Sequence, residues 1–209
     1  QRLRLRGIDA EIVEITLAEP VPDSLDIYTL GGAEDYAQRL ATRHLIRYPG
    51  LQRAAERGAP VLAICAAIQV LGHWYETSAG ERVDGVGMLD VTTSPHEART
   101  IGEVASKPLS DGLTQPLTGF ENHRGGTVLG PAARPLAAVT KGAGNRAGDG
   151  YDGAVQGSVV ATYLHGPCLA RNPELADHLL SRVVGDLPPL ELPEVDLLRR
   201  ERLAAPRRV

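Results

Sequence analysis

Pro60-Val61-Leu62-Ala63-Ile64-Cys65-Ala66-Ala67-Ile68-Gln69-Val70-Leu71-Gly72 is the stretch on which the fold turns. Pro60 to Ile64 is a continuous apolar run, the pattern of a strand covered on both faces. A helical stretch, read from Ala66 to Tyr75, begins one residue later. Only Cys65 separates the two, and the small Ala66 and Ala67 permit a sharp strand-to-helix turn there. Such a turn lifts the sulfur out of the sheet and over the unpaired amides of a helix start, where partial positive charge favours thiolate. The competing reading is a small buried hydrophobe, because cysteine is among the most buried residue types.

Upstream, Glu11 to Ile15 and Leu25 to Thr29 read as short strands. Ala33 to Arg47 reads as a helix with Tyr36, Leu40 and His44 beside Ala37, Ala41 and Leu45 on one face. Leu51 to Arg57 is a second helix stopped by Gly58. Downstream, Val83 to Thr93 and Thr100 to Val104 are β-rich, leading to Gly119–Thr127 (GFENHRGGT). Gly142 to Gly153 is a glycine-rich loop. Ala154 to Leu164 reads as two strands meeting at Gly157, and a helix from Pro173 to Val184 has Asn172 placed to cap it. Strands alternating with helices predict an α/β fold with a parallel sheet covered on both sides. The opening QRLRLRGIDA resembles the end of a helix stopped by Gly7, so the usual first strand is expected to be missing from this chain.

Composition sets the outer bounds. The 209 residues, 43% hydrophobic and 23% charged, suit one soluble domain over residues 1–209. Residues 187–209 form a Pro-rich and basic tail, read as a solvated helix with partner docking as the alternative. A net charge of −4 argues against nucleic acid as a partner. The longest apolar run, Val61 to Ile68, is too short to cross a bilayer, and a cytoplasmic location is expected. Two cysteines, Cys65 and Cys168, cannot build a disulfide framework or, with His165, more than half a metal site. Lys107 and Lys141 are the only lysines and neither follows a Walker-type glycine loop, so ATP chemistry is not expected here.

A nucleophilic thiol needs a base and an oxyanion site. His165 is best placed, ending an apolar strand just before Gly166 and Pro167, where the ligand crevice of an α/β sheet lies. His44 and His178 read as structural or solvated, His73 as too far along the helix, and His96 and His123 as loop residues of open role. The Ala66 amide and the Leu30-Gly31-Gly32-Ala33 turn, with Gly32, are the candidate oxyanion donors.

Taken together, GGAEDYAQ (31–38), PVLAICAAIQVLGHWYE (60–76), GVGMLDVTT (85–93), RTIGEV (99–104), GFENHRGGT (119–127) and ATYLHGPCLARNPELADHLL (161–180) resemble the class I glutamine amidotransferases. Within that family they are similar to the glutaminase subunits of lipid II isoglutaminyl synthases. The resemblance implies a flavodoxin-like three-layer sandwich with a mostly parallel central sheet. It implies Cys65 as nucleophile, His165 as general base, Arg99 as the arginine that binds the carboxylate of L-glutamine, and Gln69 as the elbow glutamine facing substrate. It also implies a heterodimer with a MurT-like ligase, which holds ATP and Mg and amidates D-glutamate of the lipid II stem peptide at the inner face of the membrane. No cofactor is implied in this chain. The elbow reads Cys65-Ala66-Ala67-Ile68-Gln69 where the family usually has glycines, and Pro167 stands where many members carry a glutamate. Corrin amidation of the CobB/CobQ kind, a non-catalytic interaction subunit and a cysteine hydrolase of esters are the alternatives.

Overall fold

The structure, a computed structural model, describes residues 1–204. A 3-10 turn at Arg4–Arg6 opens the chain and Gly7 closes it in the left-handed region. Its Arg6 pairs with Asp177 at 2.8 Å, joined by Arg2 on the same carboxylate. Strands β1 (Tyr28–Leu30) and β2 (Val61–Ile64) follow, separated by helices α1 (Asp35–Arg47) and α2 (Gly50–Glu56). Helix α3 (Ala66–Leu71) leads to β3 (Trp74–Glu76), β4 (Arg82–Asp84), the long β5 (Val91–Pro108) and β6 (Leu117–Leu129). Then come β7 (Ala137–Lys141), β8 (Tyr151–Asp152), β9 (Ala154–Gln156), β10 (Val159–Thr162), α4 (Cys168–Arg171), α5 (Pro173–Val184) and α6 (Pro193–Ala204).

The central sheet has the order β1-β2-β10-β9, with β1, β2 and β10 parallel and β9 antiparallel. Strand alternation sends Val61 and Ala63 into one core with Leu45 of α1, Leu51 and Ala54 of α2 and Ile68 of α3. Leu62 and Val160 point the other way, into a second core with Leu175 and Leu179 of α5. Helices on both faces of a mostly parallel sheet give the α/β layering read from the apolar run at Val61. Beside it lies a six-stranded sheet, β4-β3-β5-β7-β8 with β6 paired to β5, in which the β5–β6 hairpin dominates.

Several local readings are corrected. Glu11 to Ile15 is irregular, and Ile12 is 84% exposed, because among the described residues no neighbouring strand pairs with its backbone groups. Helix α1 turns Gln38, Thr42 and Leu45 inward and leaves Tyr36 exposed. Both polar residues are satisfied: Gln38 bonds Gln69 at 2.8 Å, and Thr42 bonds the Gln38 carbonyl and Tyr75. Helix α3 stops at Leu71, since Gly72 packs where a Cβ would lie 2.8 Å from the Val91 carbonyl oxygen and the chain turns into β3. Asn172 gives α5 no side-chain cap; its amide instead grips Thr118 and the Cys168 carbonyl at 2.8 Å.

The tail is not a fully solvated helix. Arg199 of α6 is buried, donating to the Pro116 carbonyl at 2.9 Å and to the Arg171 carbonyl, so α6 is docked on the body by its cation. Arg207 and Arg208 lie outside the described residues.

Candidate functional site

Cys65 ends β2. Its N–H donates to the Thr162 carbonyl at 2.9 Å, completing the parallel ladder with β10, and its carbonyl accepts from Ile68 to start α3. To do both, it takes φ +57° and ψ −115°, and among the described residues it is the one non-glycine residue with positive φ. A side chain held there costs on the order of 1–3 kcal/mol, a strain offset by the surrounding core. The strain falls on Cys65 itself, so alanine is accommodated at positions 66 and 67.

The electrostatics correct one expectation. Burial pushes the Cys65 thiol above its ordinary value; the Ala66 amide and the Arg99 charge lower it, and Glu34 raises it further. Helix-start amides do act on the sulfur, but desolvation outweighs them in the unliganded site. At rest Cys65 is therefore a thiol, and any reaction through its sulfur needs a base to take the proton.

His165 follows β10 and is fixed by backbone pairing with Phe120 of β6, with N···O distances of 3.0 and 3.2 Å. Burial lowers its pKa, so the ring is neutral and able to accept a proton. Its Nε2 is buried and has no hydrogen-bond partner among the described residues. Cys65 and His165 meet at Gly32: a Cβ built there would lie 3.3 Å from His165 Cε1, 3.4 Å from Cys65 Cβ and 3.7 Å from Cys65 Sγ. A side chain there would press on both residues at once, which is a physical reason for glycine at this position. Pro167 carries no carboxylate, and among the described residues no acidic side chain pairs with His165. Its backbone bridge to Phe120 of β6 fixes where the residue enters the site.

These residues open into a cavity of about 670 Å³, which is also lined by Ala66, Gln69 and Arg99. Volumes of a few hundred Å³ are typical of small-molecule sites. Arg99 reaches it through an irregularity in β5. Pro95 is opposite Gly125 and Thr100 opposite His123, so His96 to Arg99 stand against the single residue Arg124. Such bulges re-aim side chains. Here the bulge carries an exposed guanidinium to the cavity wall opposite α1.

Gln69 lines the cavity, but its amide is already engaged. It accepts from Gln38 at 2.8 Å and donates to Tyr163 at 3.2 Å; the Tyr163 hydroxyl bonds Thr127 at 2.7 Å and Thr127 bonds Thr93 at 2.8 Å. This buried chain of polar groups fixes the cavity wall behind Cys65. His123, read from the sequence as a loop residue, lies within β6, as His96 does within β5. Burial lowers the His123 pKa to about 4, and its ring stacks on Tyr163 at 3.9 Å, so it stays neutral near pH 7. Sequence reasoning missed Gln38, Tyr163, Asn122 and Arg124. Strand alternation within GFENHRGGT was the available signal, since it sends Glu121 and His123 to one face and Asn122 and Arg124 to the other.

Among the described residues, no group of three or more His, Cys, Asp or Glu side chains is arranged to hold a metal ion. No helix among them is long and apolar enough to cross a membrane.

Residues 3–173 match the model of the CobB/CobQ-like glutamine amidotransferase domain. The chain is 38% identical over 185 residues to the lipid II isoglutaminyl synthase (glutamine-hydrolyzing) subunit GatD of Staphylococcus aureus, covering 87% of this chain and 74% of that protein. It is 32% identical to the GatD subunit of Streptococcus pneumoniae, covering 75% of this chain and 60% of that protein. The cobyric acid synthase of Sphingopyxis alaskensis is 30% identical, over 83% of this chain but 35% of its own length. A crystal structure of a glutamine amidotransferase superposes with a TM-score of 0.59 at 18% identity, over 88% of this chain and 90% of that one, and supports the fold.

Proposed function

The chain belongs to the CobB/CobQ-like glutamine amidotransferase family, and from that premise we propose that it is the glutaminase subunit of a lipid II isoglutaminyl synthase, hydrolysing L-glutamine to glutamate and ammonia. The observation that carries the reading is the convergence of Cys65 and His165 at Gly32, on a cavity whose wall presents Arg99.

The geometry supports the following chemistry. The amino acid binds with its α-carboxylate on Arg99, whose planar fork can take both oxygens. His165 accepts the thiol proton as Cys65 Sγ bonds to the side-chain amide carbon, and the carbonyl electron pair moves onto oxygen. That oxyanion sits against the amides of Ala66 and Gly32. As the tetrahedral intermediate collapses, the C–N bond breaks and the imidazolium gives its proton to the leaving nitrogen, releasing ammonia. Water attacks the thioester while His165 takes its proton; the C–S bond breaks and the thiol is restored. Because the resting thiol is protonated, proton transfer to His165 is a required part of attack rather than a refinement.

Ammonia then passes to a partner. We assign that role to a MurT-like ligase holding ATP and Mg, which amidates D-glutamate of the lipid II stem peptide. The resemblance to two GatD subunits over three quarters or more of this chain supports that assignment. Corrin amidation is the second reading, favoured by the cobyric acid synthases; this chain spans only about a third of those proteins. Co-purification with the candidate ligase, followed by glutamine-dependent amidation of lipid II against a corrin acid, separates the two. Cys65→Ala abolishing ammonia release, with loss of Cys65 labelling by 6-diazo-5-oxo-L-norleucine, tests the glutaminase itself. Retained turnover in that variant overturns it, and so excludes neither fold nor family but the chemistry.

A further inference from the structure

Arg99 sits on an exposed bulge, and an arginine there has many rotamers to lose before it can grip a carboxylate. Two side chains of the neighbouring strand remove that freedom. Asn122 Oδ1 accepts from Arg99 Nη1 at 3.0 Å. Arg124 donates from Nε to the His96 carbonyl at 2.9 Å and from Nη2 to the Glu97 carbonyl at 3.1 Å. They lie two residues apart on β6, on the same face, so one strand ties both ends of the four-residue bulge opposite it. Packing leaves the bulge little room to relax: a Cβ on Gly126 would lie 2.7 Å from the His96 ring.

We infer that Asn122 is a positioning and specificity residue for substrate, acting through Arg99. The inference rests on the glutaminase reading above. The choice of side chain is the physical point. A carboxylate at position 122 would orient Arg99 equally well, but it would also form an ion pair and compete with the substrate for the same guanidinium. An amide oxygen orients the fork and leaves its charge available. Consistent with this, among the described residues no acidic side chain forms an ion pair with Arg99. The inference concerns binding of the α-carboxylate only; it gives Asn122 no part in the thioester chemistry.

The test uses Asn122→Leu, which removes the acceptor, and Asn122→Asp, which keeps it but adds charge, assayed with the partner ligase present. Asn122 is exposed, so both variants are expected to fold, and circular dichroism with a thermal melt checks this. The Leu variant is expected to raise the glutamine KM about fivefold, the scale of one hydrogen bond, with kcat within about twofold. The Asp variant is expected to raise it more, at least about tenfold, despite being the closer isostere. The preference for L-glutamine over L-glutamine α-amide, whose carboxylate is replaced by a neutral group, should fall in both. An unchanged KM, a loss confined to kcat, an Asp variant milder than the Leu variant, or an unchanged preference for the carboxylate overturns the assignment while leaving the glutaminase reading intact. A wild-type chain that neither turns over glutamine nor is labelled at Cys65 by 6-diazo-5-oxo-L-norleucine overturns both.

Discussion

Gly125→Ala tests the cavity wall behind Cys65 by a single methyl group. Gly125 sits in β6, where alanine is conformationally acceptable, so the effect comes from packing and not from backbone strain. The added Cβ would lie 2.3 Å from Gln69 Nε2, 2.9 Å from Thr93 Cγ2 and 3.1 Å from the Tyr163 hydroxyl. Ordinary contact begins at 3.4 Å, so Gln69 must retreat by about 1.1 Å. A shift of that size breaks its bonds to Gln38 and Tyr163, each worth about 1 kcal/mol. Forcing a methyl into the packed site adds roughly 1–3 kcal/mol, against which removing glycine's unfolded-state entropy returns about 0.4–1 kcal/mol. The net expectation is a loss of about 2–5 kcal/mol, or on the order of 4–20 °C in Tm for a chain of this size. Urea denaturation measures it, with glutamine turnover in parallel, and activity should fall because the displaced Gln69 enters the cavity. Gly125→Ala combined with Gln69→Ser should recover only the overpacking part, roughly 1–3 kcal/mol, because the bonds to Gln38 and Tyr163 stay lost, and should not recover activity. A single variant within about 0.5 kcal/mol of wild type, or a double variant no more stable than the single one, would refute the placement of Gln69 against β6.

Three further outcomes are expected. Cys65→Gly should be more stable than Cys65→Ala by on the order of 1–3 kcal/mol, since only glycine relieves φ +57°, and equal stabilities in chemical denaturation would remove the claim of strain at the elbow. Alkylation of Cys65 by iodoacetamide should keep rising as pH passes 9, because burial holds the thiol above its ordinary value and thiolate is the reacting form; a plateau below pH 7 contradicts this. Cys168, pushed up to about 12 by burial, should stay silent over the same range. Burial raises Asp152 from 3.8 to about 6, so the folded state binds a proton more tightly than the unfolded one. Its contribution is fully present below pH 4 and lost as pH rises through about 6; the stability of wild type relative to Asp152→Asn should therefore decline between pH 4 and 7, and a flat difference refutes it.

The hairpin shows how far sequence reading reaches. GFENHRGGT marks a segment tied to function, yet the role of each residue in it depends on strand phase and partner register. His123 is a stacked, neutral ring because β6 places it over Tyr163, and Arg99 reaches the cavity because β5 bulges against Arg124. Arg199 reads as one cation in a solvated basic helix, yet it is buried because Pro116 and Arg171, each more than 25 residues away, offer it carbonyls.

By itself the sequence determined what short-range sterics and hydrophobic patterning control: a strand apolar on both faces, a turn at Cys65 flanked by small residues, the end of α2 at Gly58 and α5 beginning at Pro173. Those features depend on residues a few positions apart. Only the tertiary structure decided the protonation of Cys65, the engagement of Gln69 and the direction of Arg99. Desolvation, hydrogen-bond partners and cross-strand register belong to groups brought together from distant parts of the chain, and a linear reading holds no information on the distances between them.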